Sequence, residues 1–126
     1  MNFTENKAIY LQIADYVCEQ ILTKKWNIGD RAMSVRELGI SLEVNPNTVL
    51  RSYDFLQSLE VIVNKRGVGF FVTPYAIEKI IVHRKQQFIQ EELPVLFKNM
   101  ELIQINIQEL EQLYRNWKEK SHHSME

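Results

Sequence analysis

One change of hydrophobic period constrains this fold more than any other feature. Up to residue 59 the apolar side chains recur at helical spacing. Over "VIVNKRGVGFFV" they become β-branched and aromatic, in two arms around Lys65-Arg66-Gly67, and from Tyr75 onward the pattern is helical again without a single glycine. The chain therefore reads as helices, one hairpin, then helices. The expected fold class is mostly α with a small β-hairpin.

The first helix is expected over about residues 8–24. Ile9, Leu11, Ile13, Tyr16, Val17 and Ile21 make its apolar stripe, and the turn "NIGD" follows. The second, over about residues 35–42, opens with a capping box in which Ser34 and Glu37 exchange backbone hydrogen bonds. After Glu43-Val44-Asn45 a third helix begins almost at once. Asn45 is a good N-cap, Pro46 suits the first helical position, and Val49, Leu50, Tyr53, Phe55, Leu56 and Leu59 carry the apolar face to about residue 59. The hairpin arms are expected at residues 61–64 and 69–72, with Pro74 ending the second. Pro94 should kink or divide the long helix that follows, and Asn106 with Glu109 should cap a last helix over about residues 107–118, ahead of a frayed "SHHSME".

Composition narrows the class without naming it. A hydrophobic share of 45% and a charged share of 25% suit a folded chain, and no run reaches the roughly 18–20 apolar residues of a membrane span. The opening residues lack the layout of a secretory leader, so a cytoplasmic protein with no membrane partner is expected. The single cysteine, Cys18, falls in an apolar helical pattern and reads as a buried, inert thiol. There is no Gly-rich phosphate loop, no metal-ligand spacing and no nucleophile motif, so no enzyme activity, cofactor or metal is expected. His122-His123 and Glu91-Glu92 read as a terminal pair and a solvated helix face. The net charge of −1, with eight basic against eight acidic side chains in residues 1–73, means that any nucleic-acid surface must come from local clustering.

Three helices followed by a hairpin is the order of a winged helix-turn-helix, in which the second helix of the motif enters the major groove. The helix over about residues 46–59 takes that place. Its start is polar on the outer side, with Asn45, Asn47, Thr48 and Arg51, and its N-terminal amides suit a phosphate. Ser34 and Arg36 sit at the start of the preceding helix, where Arg36 can clamp a phosphate or read a guanine. Lys65, Arg66 and Gly67 form a wing tip that can follow a backbone or a minor groove. Each feature alone has an ordinary structural explanation: a cap, a solvated turn, a surface ion pair. Their order around one motif is what points to DNA.

Five separated motifs carry a resemblance to a known family. They are Tyr-x-Gln-Ile at Tyr10 to Ile13, Gly29-Asp30, Ser-x-Arg-Glu-Leu at Ser34 to Leu38, Asn-Thr-Val at Asn47 to Val49, and Gly-x-Gly-x-Phe-Val at Gly67 to Val72. Residues 9–72 thereby resemble the GntR family of bacterial regulators. Two departures stand out: Ala32-Met33 replaces the usual Leu-Pro, and the Leu59-Glu60-Val61 corner lacks the usual small residue, often glycine. The resemblance implies that Arg36, Asn47, Thr48 and the Lys65-Arg66-Gly67 tip touch DNA.

About 50 residues remain after the wing, which is similar to the short two-helix tail of the YtrA-type subfamily. That likeness implies dimerisation through the tail and frequent control of transporter operons. A thin helical pair cannot cover Ile81, Phe88, Leu96, Phe97, Leu110, Leu113, Tyr114 and Trp117 internally, so a second copy is the expected cover. Tyr75, Phe88, Phe97, Tyr114 and Trp117 would serve equally as the lining of an effector cleft. The expected organisation is a winged helix-turn-helix over residues 1–73 and a helical dimerisation tail over 74–126. The expected function is that of a repressor binding a pseudo-palindromic operator in double-stranded DNA as a homodimer, on the nucleoid when bound, with the existence of a small-molecule effector left open. The alternative is a winged-helix protein-interaction module, which would require an apolar outer face on the third helix.

Overall fold

The computed structural model describes residues 7–125, with side chains to residue 122. The opening six residues, read above against a leader, and the side chain of His123 lie outside that description. The elements are α1 (Ile9–Leu22), α2 (Val35–Leu42), α3 (Pro46–Ser58), β1 (Ile62–Lys65), β2 (Gly69–Val72), α4 (Ala76–Gln87), α5 (Leu93–Ile103) and α6 (Ile107–Met125), with a π-helical segment Phe88–Glu92 between α4 and α5. The fold is mostly helical with one small antiparallel sheet, and its first part is a winged helix. The chain forms two units, divided between Arg84 and Lys85.

In the first unit α1, α2 and α3 pack around Ile13, Val17, Ile21, Leu38, Val49, Tyr53 and Leu56, all essentially sealed from water. Burying each aliphatic side chain contributes about 1.5–3 kcal/mol. Gln12, the polar member of the Tyr-x-Gln-Ile motif, is buried as well, and its amide donates to the Lys7 carbonyl at 2.7 Å. Two expected core positions are corrected. Ile9 and Leu50 are 47% and 42% exposed: Ile9 is the first residue of α1, a turn beyond the sealed Ile13, and Leu50 is rotated about 100° from the sealed Val49.

The α2–α3 turn is closed by local chemistry. The Ser34 hydroxyl accepts from the Glu37 amide at 3.0 Å, and α2 ends on Glu43 in the left-handed conformation, φ 59°. The Asn45 side-chain oxygen then accepts from the Asn47 amide at 2.8 Å, with Pro46 opening α3. Gly39 makes the approach possible. A Cβ there would stand 2.9 Å from the Val44 carbonyl oxygen and 3.5 Å from Pro46 Cα.

β1 and β2 pair antiparallel, Ile62 opposite Val72 and Lys65 opposite Gly69. The sheet gains a third, minimal edge that alternation did not reveal. Arg31 bridges Phe71, with Ala32 N–H donating to Phe70 O at 2.8 Å and Val72 N–H to Asp30 O at 2.9 Å. Gly29, at φ 87°, and Asp30, whose carboxylate accepts from Asn27 N–H at 2.8 Å, shape the turn that delivers this edge. The first turns of α4 close the core through Ala76 and Ile80, and its Arg84 reaches Glu19 at 3.6 Å and the Asp15 carbonyl at 3.4 Å.

In the second unit the helical path from α4 runs through Pro94 without a break. The proline lacks an N–H and its ring crowds the preceding turn, and the strain is absorbed by the π segment just before it, where Leu93 N–H donates to Phe88 O, five residues back. Gln104, φ 62°, ends α5. Asn106 then caps α6 through its side-chain oxygen, which accepts from the Glu109 amide at 2.8 Å. α6 extends to Met125, past the expected end near 118, and Ser121 to Met125 are helical where fraying was expected. Within this helix Arg115 pairs with Glu111 at 2.6 Å and Gln112 donates to Asn116 at 3.0 Å, i to i+4 links that support an exposed helix.

Candidate nucleic-acid interface

The outer face of α3 is built from the cap inward. Capping fixes Asn45 and Asn47 at the helix start and leaves the Asn45 side-chain amide group free to donate outward. Below them, Ser52 is fully buried and its one hydroxyl proton faces two carbonyls, Tyr10 O at 2.7 Å and Thr48 O at 3.1 Å; the shorter contact ties α3 to the start of α1. The result is a shallow recess of about 340 Å³ lined by Ile9, Tyr10, Asn45, Asn47, Thr48 and Arg51. Four sequence-predicted residues thus share one surface feature. The Arg51 guanidinium lies over the Tyr10 ring, 3.9 Å from its centroid.

The other predicted residues form separate patches of the same unit. Ser34 is half-buried and occupied as the α2 cap, and Arg36 projects into solvent from the first turn of that helix. At the hairpin tip Gly67, φ 77°, turns the chain, and Val68 N–H closes on Lys65 O at 2.9 Å. Lys65 rests its ammonium over the Phe71 ring, 4.3 Å from the centroid, and Arg66 is exposed. None of Arg36, Arg51, Lys65 and Arg66 enters an ion pair among the described residues, whereas Lys7, Lys79, Arg84 and Arg115 each do. Exposed cations without an ion pair therefore stand on both helices of the motif and at the hairpin tip, in a unit whose formal charge is close to zero.

Sequence reasoning missed the residues that hold these groups in place. Gln57 accepts the Asn64 amide at 3.0 Å and anchors the wing to α3. Tyr53 packs edge-on against Phe70 at 5.0 Å and donates to the Met33 carbonyl at 2.5 Å. Burial raises its hydroxyl well above the ordinary tyrosine range, so it stays a donor. Gly69 leaves room for Arg31, whose Nε would meet a Cβ there at 2.9 Å. Of these, the Tyr53 signal was available, since a tyrosine on an otherwise apolar helix face needs a partner for its hydroxyl.

A three-helix unit whose third helix presents a polar, cationic start beside a basic hairpin is a winged helix-turn-helix of the DNA-binding class. Residues 9–72 match the family of bacterial regulatory proteins, gntR family, and the chain belongs to that family. It is 34% identical to the HTH-type transcriptional regulator YhcF of Bacillus subtilis (strain 168), over 86% of this chain and 88% of that one. It is 31% identical to the HTH-type transcriptional repressor YtrA of the same organism, over 81% and 78%. A crystal structure of a GntR-family transcriptional regulator from Bacteroides thetaiotaomicron superposes with a TM-score of 0.81 at 45% identity, covering 90% of this chain and 99% of that one. No helix among the described residues is long and apolar enough to cross a membrane.

Proposed function

We propose that this protein is a homodimeric repressor that binds a pseudo-palindromic operator. The observation that carries this reading is the set of exposed, unpaired cations and amides on three consecutive elements: Arg36 on α2, Asn47 and Arg51 on α3, and Lys65 and Arg66 at the hairpin tip. α3 would lie in the major groove with Asn47, Thr48 and Arg51 toward the bases, and the wing would follow the backbone or the minor groove. Leu50, turned outward among polar neighbours, suits a thymine methyl group. The repressor assignment follows the likeness to YtrA. Residues 1–73 would serve DNA and residues 74–126 the dimer.

Support for the dimer comes from the second unit. Phe97, Leu113, Tyr114 and Trp117 are each about half exposed or more in the single chain, and Met100 alone is buried there among the described residues. A soluble protein covers such a surface, and a two-fold copy would also set two α3 helices against half-sites about 10 bp apart or a multiple of that. The protein-interaction alternative needs an apolar outer face on α3. Asn47, Arg51, Asp54 and Gln57 make that face polar, with Leu50 its one large apolar side chain.

The test is fluorescence anisotropy on the upstream region of the protein's own gene against scrambled DNA, at two salt concentrations. Selective, salt-sensitive binding with two protomers per site is expected. Changing Lys65 and Arg66 together to Ala should flatten the salt dependence by up to about two phosphate contacts. An unchanged slope would remove the wing from the interface, and equal affinity for scrambled DNA would favour the protein-interaction alternative.

A further inference from the structure

Arg51 does not extend freely into solvent. Its guanidinium lies over the ring of Tyr10, and that residue is held through both its ring and its backbone. It meets Phe55 edge-on at 6.2 Å and 85°, and Phe55 in turn meets His83 edge-on at 5.7 Å and 73°. The Tyr10 backbone is held by the buried Ser52 hydroxyl at 2.7 Å. An aromatic plate carried by α1 therefore supports one long cation of α3, at the edge of the recess that also holds Asn45, Asn47 and Thr48.

We propose that Tyr10 is a positioning residue for Arg51 and thereby sets operator discrimination; this rests on the operator-binding reading above. With its central carbon 3.9 Å over the ring centroid, the guanidinium can keep N–H donors free for a partner, so the ring contact and hydrogen bonding need not compete. Held this way, the group presents a fork of donors of fixed orientation to a pair of acceptors. In DNA that pair is either the O6 and N7 edge of a guanine or two oxygens of a phosphate. Without the ring, Arg51 would have to be ordered afresh at each binding event, and the loss would fall on the contact Arg51 makes.

The experiment is a double-variant cycle on the full chain, read by operator affinity and by base-pair substitution within the half-site. Tyr10→Leu should weaken binding roughly three- to tenfold, as expected for a stacked cation released, while Tyr10→Phe keeps the ring and stays within about twofold of the wild type. In an Arg51→Ala background Tyr10→Leu should have no further effect. A guanine contact predicts loss at one base pair only; a phosphate contact predicts uniform loss and a shallower salt slope. Independently of DNA, the Arg51 side-chain NMR resonances should be shifted upfield by the ring, lose that shift in Tyr10→Leu and keep it in Tyr10→Phe. Equal weakening with and without Arg51, Tyr10→Phe as weak as Tyr10→Leu, or no ring shift in the wild type would each overturn the proposal. Undiminished binding by Arg51→Ala would also overturn it, and the operator reading would then stand or fall on the scrambled-DNA comparison and the Lys65/Arg66 pair.

Discussion

The Tyr53 hydroxyl donates to the Met33 carbonyl at 2.5 Å and so ties the middle of α3 to the residue just before the α2 cap. The link joins the two helices of the motif through a fully buried side chain. Removing the hydroxyl leaves the Met33 carbonyl without this donor. Tyr53→Phe should lower unfolding stability by about 1–2 kcal/mol, read from the urea midpoint. It should also reduce operator affinity, because the first turn of α2 carries Arg36. A variant as stable as the wild type would show that water replaces the donor.

The corner between α3 and β1 carries a cost that the sequence makes visible. Glu60 sits at φ 64°, the left-handed region where a side chain is unfavourable and glycine is not. The residue is held there by its neighbours: its carbonyl accepts the Thr73 hydroxyl at 2.8 Å, and its carboxylate pairs with Lys79 at 2.8 Å. The ion pair is exposed and weak. Glu60→Gly should therefore raise stability by roughly 0.5–1 kcal/mol, most clearly at high salt where the lost pair counts least. A lower thermal midpoint at high salt would contradict this.

How much could be read beforehand follows from where the information sits. The first three helices, both strands and the start of α6 were legible to within two residues, because period, caps and turn residues are local signals. Ser34, Asn45 and Asn106 all cap as their spacing implies. The third sheet edge at Arg31 was not legible, since a single bridged residue leaves no alternation to detect. Nor was the outward turn of Leu50, because an apolar stripe broader than the buried one leaves the helix rotation open, nor the exposure of Ile9, which sits at the very start of α1. The π segment before Pro94 was half legible: the proline demands an accommodation, but its form depends on the surrounding turn. At the candidate interface the groups that would touch DNA were legible from motif order. Tyr10, Gln57 and Gly69 act through partners distant in sequence, and a single chain does not reveal such pairings.

Cys18 links burial to pH. Desolvation in the core raises its thiol from the ordinary 9.0 to about 11, against a smaller lowering by Arg84. In the unfolded chain the thiol ionises first, so between about pH 9 and 11 the unfolded state holds fewer protons than the native state. Stability is thus fully present below about pH 9 and falls as pH rises through that window, by on the order of 2 kcal/mol. Cys18→Ala should flatten this fall, measured as urea midpoints at about pH 8, 9 and 10. Over the same range a thiol reagent should label the native protein far more slowly than the unfolded chain. Equal slopes for variant and wild type would assign the alkaline loss to other groups.

The tail offers the sharpest test of assembly. Leu113, Tyr114 and Trp117 are 50%, 55% and 63% exposed in the single chain, with Tyr114 and Trp117 stacked at 6.1 Å into one apolar surface on α6. If a second copy covers that surface, a charge placed within it is desolvated without a partner on association, which costs several kcal/mol per site and is counted twice across a two-fold axis. Leu113→Glu with Trp117→Glu should therefore sediment at the chain's 15.0 kDa, while the wild type sediments at twice that mass at micromolar concentration. The core of the first unit should remain intact in the variant, with Ile13, Val17 and Tyr53 still protected from hydrogen exchange. Operator affinity should drop steeply, since two half-sites would no longer be bound as one. A wild-type protein that sediments as a single chain would leave α6 uncovered by a second copy and remove the basis for reading the operator as a pseudo-palindrome.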